Sequence, residues 1–155
     1  MIVGVIINVR SMGNVGSIFR TADGAGINKL YLAGLTPLPF DVFGAPRPQI
    51  QKTSLGAEKW VPWEQARSAP PLLKRLKKEG YKIIALERAS GSVAYDKIKI
   101  KRRDKIAIVV GGEVRGLSHS ILKLADHIAE IPMRGKKESL NVSVAFGIAA
   151  YALKL

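Results

Sequence analysis

Residues 2–7 (Ile-Val-Gly-Val-Ile-Ile) and 105–110 (Lys-Ile-Ala-Ile-Val-Val) are short, nearly unbroken runs of β-branched residues. No other feature constrains the fold so tightly. A strand with no polar alternation meets water on neither face, so it belongs inside a sheet covered on both sides. Residues 29–33, 82–86 and 127–131 read as further strands, and 59–62 as a short one. Between them, Val15, Ile18, Phe19 and Ala22 recur at helical spacing, with Asn14 placed as N-cap and Gly26 as C-terminal stop. Helices are also predicted at 70–79, 118–125 and 141–153. Strands alternating with helices imply an α/β fold with a mostly parallel sheet flanked by helices.

Two stretches stand apart. The segment 36–49 carries four of the eight prolines together with Phe40 and Phe43, and reads as a long loop. Residues 97–101 alternate lysine with isoleucine, the pattern of a half-exposed edge strand.

No repeat or linker interrupts the 155 residues, so residues 1–155 are expected to form a single domain. The 25 lysines and arginines against 12 acidic residues leave a formal charge of +13, which points to a polyanionic partner, either nucleic acid or an anionic membrane surface. The cations cluster at 74–78, 97–103 and 134–137; each cluster alone reads as a solvated face, and only together do they favour nucleic acid. No apolar run approaches the roughly 20 residues of a membrane span, and no signal-peptide pattern precedes the first strand, so a cytoplasmic protein is expected. Cysteine is absent and there are two histidines, which argues against a disulfide framework or a metal site.

The last helix is apolar nearly all round: Val142, Val144, Ala145, Phe146, Ile148, Ala149, Ala150, Ala152 and Leu153 leave almost no polar side. Such a helix needs cover on every side. Either its own domain encloses it, or a second copy covers the outer side; the homodimer is the expectation taken here.

Glycine-rich loops raise the question of nucleotide binding. No Gly-x-x-x-x-Gly-Lys-Ser/Thr string exists, and residues 111–116 lack the Gly-x-Gly-x-x-Gly spacing. What the loop does offer is position, because ligands of open α/β sheets sit beyond the carboxyl ends of the strands. Gly111, Pro132 and the Leu86 region all fall there.

Three segments, 8–20 (Asn-Val-Arg-Ser-Met-Gly-Asn-Val-Gly-Ser-Ile-Phe-Arg), 108–118 (Ile-Val-Val-Gly-Gly-Glu-Val-Arg-Gly-Leu-Ser) and 131–141, follow one another in an order that resembles the three motifs of the SpoU/TrmH branch of the SPOUT methyltransferases. The resemblance implies a deep C-terminal trefoil knot. It also implies S-adenosylmethionine as methyl donor without a metal, an RNA ribose 2′-hydroxyl as acceptor, and a homodimer. Mapped onto this chain, it implies cofactor contacts from Leu86, Gly111, Ile131, Met133, Ser139 and Leu140. The catalytic positions would be Arg20, Asn14, Glu113, Ser139 and Asn141, with Arg10, Arg20, Arg134, Lys136 and Lys137 toward RNA. Gly112 stands where relatives commonly carry a polar residue. For Ser139 and Asn141, helix capping is an alternative that is compatible with a site role. Phe40 and Phe43 can stack on bases if exposed; packing on their own domain is the alternative.

A sulfonium methyl is already electrophilic, so the chemical demand is to align a poor nucleophile and remove its proton. Guanidinium groups hold their proton throughout the accessible pH range. The expectation is therefore that Arg20 grips the adjacent phosphate bidentately and positions the 2′-hydroxyl, rather than acting as a base. Two other readings share the fold: a catalytically idle RNA-binding or assembly factor, and an enzyme that methylates a base nitrogen. Transfer RNA leads ribosomal RNA as the expected substrate.

Overall fold

The computed structural model describes residues 1–153. In chain order the elements are β1 (Ile2–Ile7), α1 (Met12–Ala25), β2 (Lys29–Ala33), α2 (Pro48–Ser54), β3 (Trp63–Ala66), α3 (Ala69–Lys78), β4 (Tyr81–Leu86), β5 (Val93–Ala94), β6 (Lys105–Gly111), α4 (His119–Leu122), β7 (His127–Glu130) and α5 (Val142–Ala152). Single 3-10 turns occupy Ala57–Lys59 and Tyr95–Lys97. Among the described residues the strands form one sheet in the order β3-β2-β1-β6-β4-β7-β5, and every pair is parallel.

The apolar strands lie where their composition requires. β1 is buried along its whole length, and β6 along all but its first and last residues. Alternation along β1 divides the core in two. Ile2 and Ile6 face α1, α2 and α5, with Phe19, Ile50 and Phe146 packed against them. Val3, Val5 and Ile7 face α3 and α4, with Leu73, Leu76 and Ile121 on that side. Gly4 points to the first layer, where an added Cβ would stand 2.6 Å from Leu30 and 3.0 Å from the Phe146 ring. The missing side chain is what lets Phe146 sit directly on the sheet.

Local chemistry accounts for most boundaries. Helix α1 ends where Gly26 takes the left-handed conformation, and its N–H closes on Ala22 and Asp23 carbonyls. Its start differs from expectation. Ser11, not Asn14, is the N-cap: Ser11 Oγ accepts from the Asn14 N–H at 3.2 Å, which leaves the Asn14 side chain free to point elsewhere. The predicted strand at 59–62 is instead the end of a 3-10 turn, and the strand begins at Trp63. The long loop is shorter than expected, because Pro48 starts α2, where a proline in the first turn gives up no helical hydrogen bond. The helix predicted at 118–125 contracts to His119–Leu122.

The largest departure is at 97–101. No strand forms there: the isoleucines pack inward, but no neighbouring strand runs alongside. Alternation reports a two-sided environment and says nothing of a hydrogen-bonding partner. The real edge strand is the two-residue β5, paired with β7.

Candidate functional site

β1, β2 and β6 end level with one another, Ile7 beside Ala33 on one side and Gly111 on the other, and β4 ends at Leu86 beside Ala129, one residue before the end of β7. Three segments leave these ends and enclose a cavity of about 800 Å3. Its walls are the 86–89 turn after β4, the 110–117 loop after β6 and the 131–145 segment that enters α5. Leu86, Gly111, Ile131, Met133, Ser139 and Leu140 all line it, as do Glu113 and Asn141. That return of residues 131–141 past two earlier strand ends is consistent with the C-terminal threading implied by the resemblance.

The 110–117 loop is held closed by backbone contact. Gly112 and Gly116 pair as an antiparallel bridge, and the Gly116 N–H donates to the Gly112 carbonyl at 3.0 Å. At Gly111 a Cβ would lie 2.5 Å from the Gly116 carbonyl, and at Gly112 it would strike the Asn8 carbonyl oxygen. A side chain at Gly111 would press on the loop's own Gly116 backbone and one at Gly112 on Asn8, so in this structure both positions suit glycine. Glu87 clamps the far side: its carboxylate accepts from the Leu117 N–H at 2.9 Å and the Arg88 N–H at 3.0 Å. Sequence reasoning did not single out Glu87, because a carboxylate following a strand carries no spacing signal.

Beside the cavity, polar side chains from three distant segments form a chain. Asn14 Nδ2 donates to Glu113 Oε1 at 2.8 Å, and Asn141 Nδ2 donates to Asn14 Oδ1 at 3.0 Å. Asn141 Oδ1 in turn accepts from the Ser143 N–H at 2.9 Å and the Ser143 hydroxyl at 2.6 Å. Asn141 is thus both the N-cap of α5 and a link to α1. Ser143 was also missed; its place two residues past a cap was the available signal. With both ends of each amide engaged, the rotamers of Asn14 and Asn141 are fixed relative to Glu113.

The cations lie apart from this chain. Arg20 is exposed, is not among the residues lining the cavity, and its side chain makes no ion pair or hydrogen bond among the described residues. Arg10, Arg134, Lys136 and Lys137 are likewise exposed. Phe43 is 92% exposed at the tip of a small hairpin closed by Asp41, whereas Phe40 stacks on Trp63 with ring centroids 6.5 Å apart. No group of three metal-ligating side chains occurs among the described residues, and no helix there is long and apolar enough to cross a membrane. The outer side of α5 leaves Val144 49% and Tyr151 59% exposed.

Known proteins share this fold. The tRNA (guanosine(18)-2′-O)-methyltransferase of Aquifex aeolicus is 32% identical over 144 residues, which is 93% of this chain and 64% of that protein. The crystal structure of the AdoMet-bound rRNA methyltransferase from Sinorhizobium meliloti superposes with a TM-score of 0.87 at 28% identity, covering 98% of this chain and 55% of that one. A structure described as giving insight into 2-OH methylation of C/U34 on tRNA matches with a TM-score of 0.82 at 28% identity, covering 99% of this chain and 93% of that one. The chain spans roughly half to two thirds of the length of the curated relatives it matches. The family model for SpoU rRNA methylases matches residues 1–151, and on that match, with the fold and the cavity in agreement, the chain belongs to the SpoU rRNA methylase family.

Proposed function

We propose that this chain is a single catalytic domain that transfers a methyl group from S-adenosylmethionine to a ribose 2′-hydroxyl of RNA, with tRNA as the leading substrate and rRNA as the other. The observation that carries the reading is one cavity, beyond the strand ends, whose walls come from the 86–89, 110–117 and 131–145 segments, with Asn14, Glu113 and Asn141 hydrogen-bonded in series beside it. Transfer RNA is favoured because a neighbour of nearly this chain's length is described by its tRNA modification. A cytoplasmic location goes with this reading.

The residues present fit such a donor. Leu86, Ile131, Met133 and Leu140 supply apolar surface for a nucleoside, the 110–117 loop supplies backbone polar groups, and the carboxylates of Glu113 and Glu138 suit a cationic molecule. When bound, the donor supplies an electrophilic methyl group on sulfur. The protein's own part is alignment. The Asn141–Asn14–Glu113 chain fixes the groups beside the cavity before substrate arrives, so little ordering remains at the moment of transfer. Ser139, in the cavity wall without a partner among the described residues, is available to hold the incoming sugar. Arg20, unpaired and exposed, is available to grip the phosphate beside that sugar as a permanent cation, with the 2′-hydroxyl proton passing to phosphate or water.

A homodimer completes the reading. Val144 and Tyr151 on the outer side of α5 are the apolar surface a second copy would cover. It is also the means to bring cations such as Arg20 to a cavity they do not line in their own chain.

The test is calorimetric titration with S-adenosylmethionine, followed by mass spectrometry of nucleosides from RNA incubated with both. Donor uptake and a new 2′-O-methylnucleoside are expected. Uptake without transfer to any RNA indicates an idle binding factor, and a methylated base indicates the wrong acceptor; either result overturns the proposal.

A further inference from the structure

Two of the cationic clusters, on α3 and at 97–103, differ in a way that their sequences do not reveal. On α3, Arg75 binds Glu64 at 3.0 Å and approaches Glu79 at 3.8 Å, while Lys77 binds Asp126 at 2.9 Å and the Leu124 carbonyl at 3.0 Å. Between β5 and β6, Lys97, Lys99, Lys101, Arg102 and Arg103 are all exposed, and none makes an ion pair or side-chain hydrogen bond among the described residues. Of the carboxylates flanking them, Asp96 is exposed at one end. Asp104 at the other is already occupied by Lys82 Nζ at 2.7 Å and the Lys101 N–H at 3.0 Å.

The segment is nevertheless well anchored. Ile98 and Ile100 are half-buried against the core beneath α1 and α5. These two anchors turn Lys97, Lys99 and Lys101 outward in a row, roughly 6–7 Å apart where the chain is extended. The row has a direction too. β5 pairs with Ala129 and Glu130 at the carboxyl end of β7, and Glu130 lines the cavity. β6 begins at the opposite end of the sheet, so the strap runs from the cavity rim along the α1–α5 side to the far end. Five like charges within seven residues, none of them ion-paired among the described residues, repel one another, and a polyanion laid along them removes that repulsion while releasing its own counterions.

Resting on the function proposed above, we infer that residues 97–103 form a track for the phosphate backbone of the RNA substrate. The track holds RNA beyond the nucleotide at the cavity, and α3 lies outside the footprint. Such contacts fix orientation without reading bases. On α3, Arg75 and Lys77 are committed to carboxylates and have no free charge to offer, and the helix packs on the opposite face of the sheet, so its exposed Lys74 and Lys78 do not adjoin the strap.

The test compares two triple variants with equal loss of charge. Lys97→Gln/Lys99→Gln/Lys101→Gln removes the track, and Lys74→Gln/Lys78→Gln/Lys123→Gln removes three exposed lysines from the α3–α4 side. Circular dichroism establishes that both fold. Binding of an unmodified tRNA transcript is then measured by fluorescence anisotropy over a salt series. The track variant should lower the slope of log K against log salt by about 2–3 and affinity near 0.15 M salt on the order of tenfold to 100-fold. The α3–α4 variant should shift the slope by less than about 0.5. Equal losses in the two variants, or an unchanged slope in the track variant, overturn the inference. Wild-type protein that binds RNA with the track's salt slope yet transfers no methyl group sinks the proposed activity and leaves the track standing. Methylation accompanied by equal losses sinks the track alone.

Discussion

The two faces of the sheet bury their apolar residues equally well and treat their polar residues in opposite ways. On the α3 face the polar groups close on one another. Lys29 and Arg75 both bind Glu64, at 2.7 and 3.0 Å, and both cations stand over the Tyr31 ring, at 5.0 and 5.6 Å. The hydrogen bond from Lys29, then that from Arg75, holds the Glu64 carboxyl below its ordinary 4.5, and the bond to Glu64 raises the Lys29 ammonium above 10.5. On the α1–α5 face, Asn14 and Asn141 turn toward the cavity rather than toward a neighbouring cation, and among the described residues the Arg20 side chain has no partner and the cations of the 97–103 strap have no ion pair. The lesson is that a count of cations does not locate a binding surface. What locates it is which cations the protein leaves unneutralised and on which face of the sheet they stand.

Core truncation tests whether the two faces are equal as packing. Phe146→Ala, with the ring fully buried on Gly4 and Leu30, should cost about 3–5 kcal/mol by denaturant titration. Leu73→Ala on the α3 face should cost about 2–5 kcal/mol without changing S-adenosylmethionine affinity. A cost below about 1 kcal/mol for either would mean that its face is not a close-packed layer. The next contrast is functional. Arg20→Ala should reduce methyl transfer by at least ~100-fold, near 2.7 kcal/mol of barrier, with donor affinity unchanged. Arg20→Lys should recover little of it; near-normal turnover with lysine would refute bidentate positioning.

Asn141→Ala removes a helix cap and the link to Asn14 together. A stability loss of about 1 kcal/mol is expected, accompanied by a fall in kcat larger than that loss explains. Loss of stability with full kcat would reduce Asn141 to a cap. The smallest effect belongs to the closed α3 face. Glu64→Gln should cost less than about 1 kcal/mol near neutral pH, since the ion pairs are part-exposed and screened by solvent. Because the folded carboxyl is depressed, its contribution is present above the ordinary value of 4.5 and fades as pH falls through the lower folded value. Wild type and variant should therefore converge in acid, and thermal melts from pH 7 to 3 will show it. A gap that persists at pH 3 would mean that the carboxylate's charge is not what matters.

Much of the architecture could be read from composition and spacing. The boundaries of β1 and β2 came directly from their apolar runs, and Gly26 marked the end of α1 because only a left-handed residue closes a helix that way. Asn14 was singled out but given the wrong local task. Serine and asparagine cap helices almost equally well, so sequence could not tell whether Ser11 or Asn14 would do it. The alternation at 97–101 was correctly read as one buried side and one exposed side, and wrongly as a strand. Strand identity lies in a hydrogen-bonded neighbour, which alternation does not specify.

By itself the sequence determined a parallel α/β sheet with covered faces, an excess of positive charge, and three segments whose order marks the family. Those are properties of local pattern and composition, which each stretch of chain carries with it. Only the tertiary structure decided that Glu113, Asn14 and Asn141 share hydrogen bonds across 99 and 127 residues of chain, that Glu87 clamps the cavity loop, and that Arg75 and Lys77 on α3 are neutralised while no cation of the strap is ion-paired among the described residues. Each of these depends on the distance between groups remote in sequence. That distance is set by how helices and strands pack, not by any one of them alone.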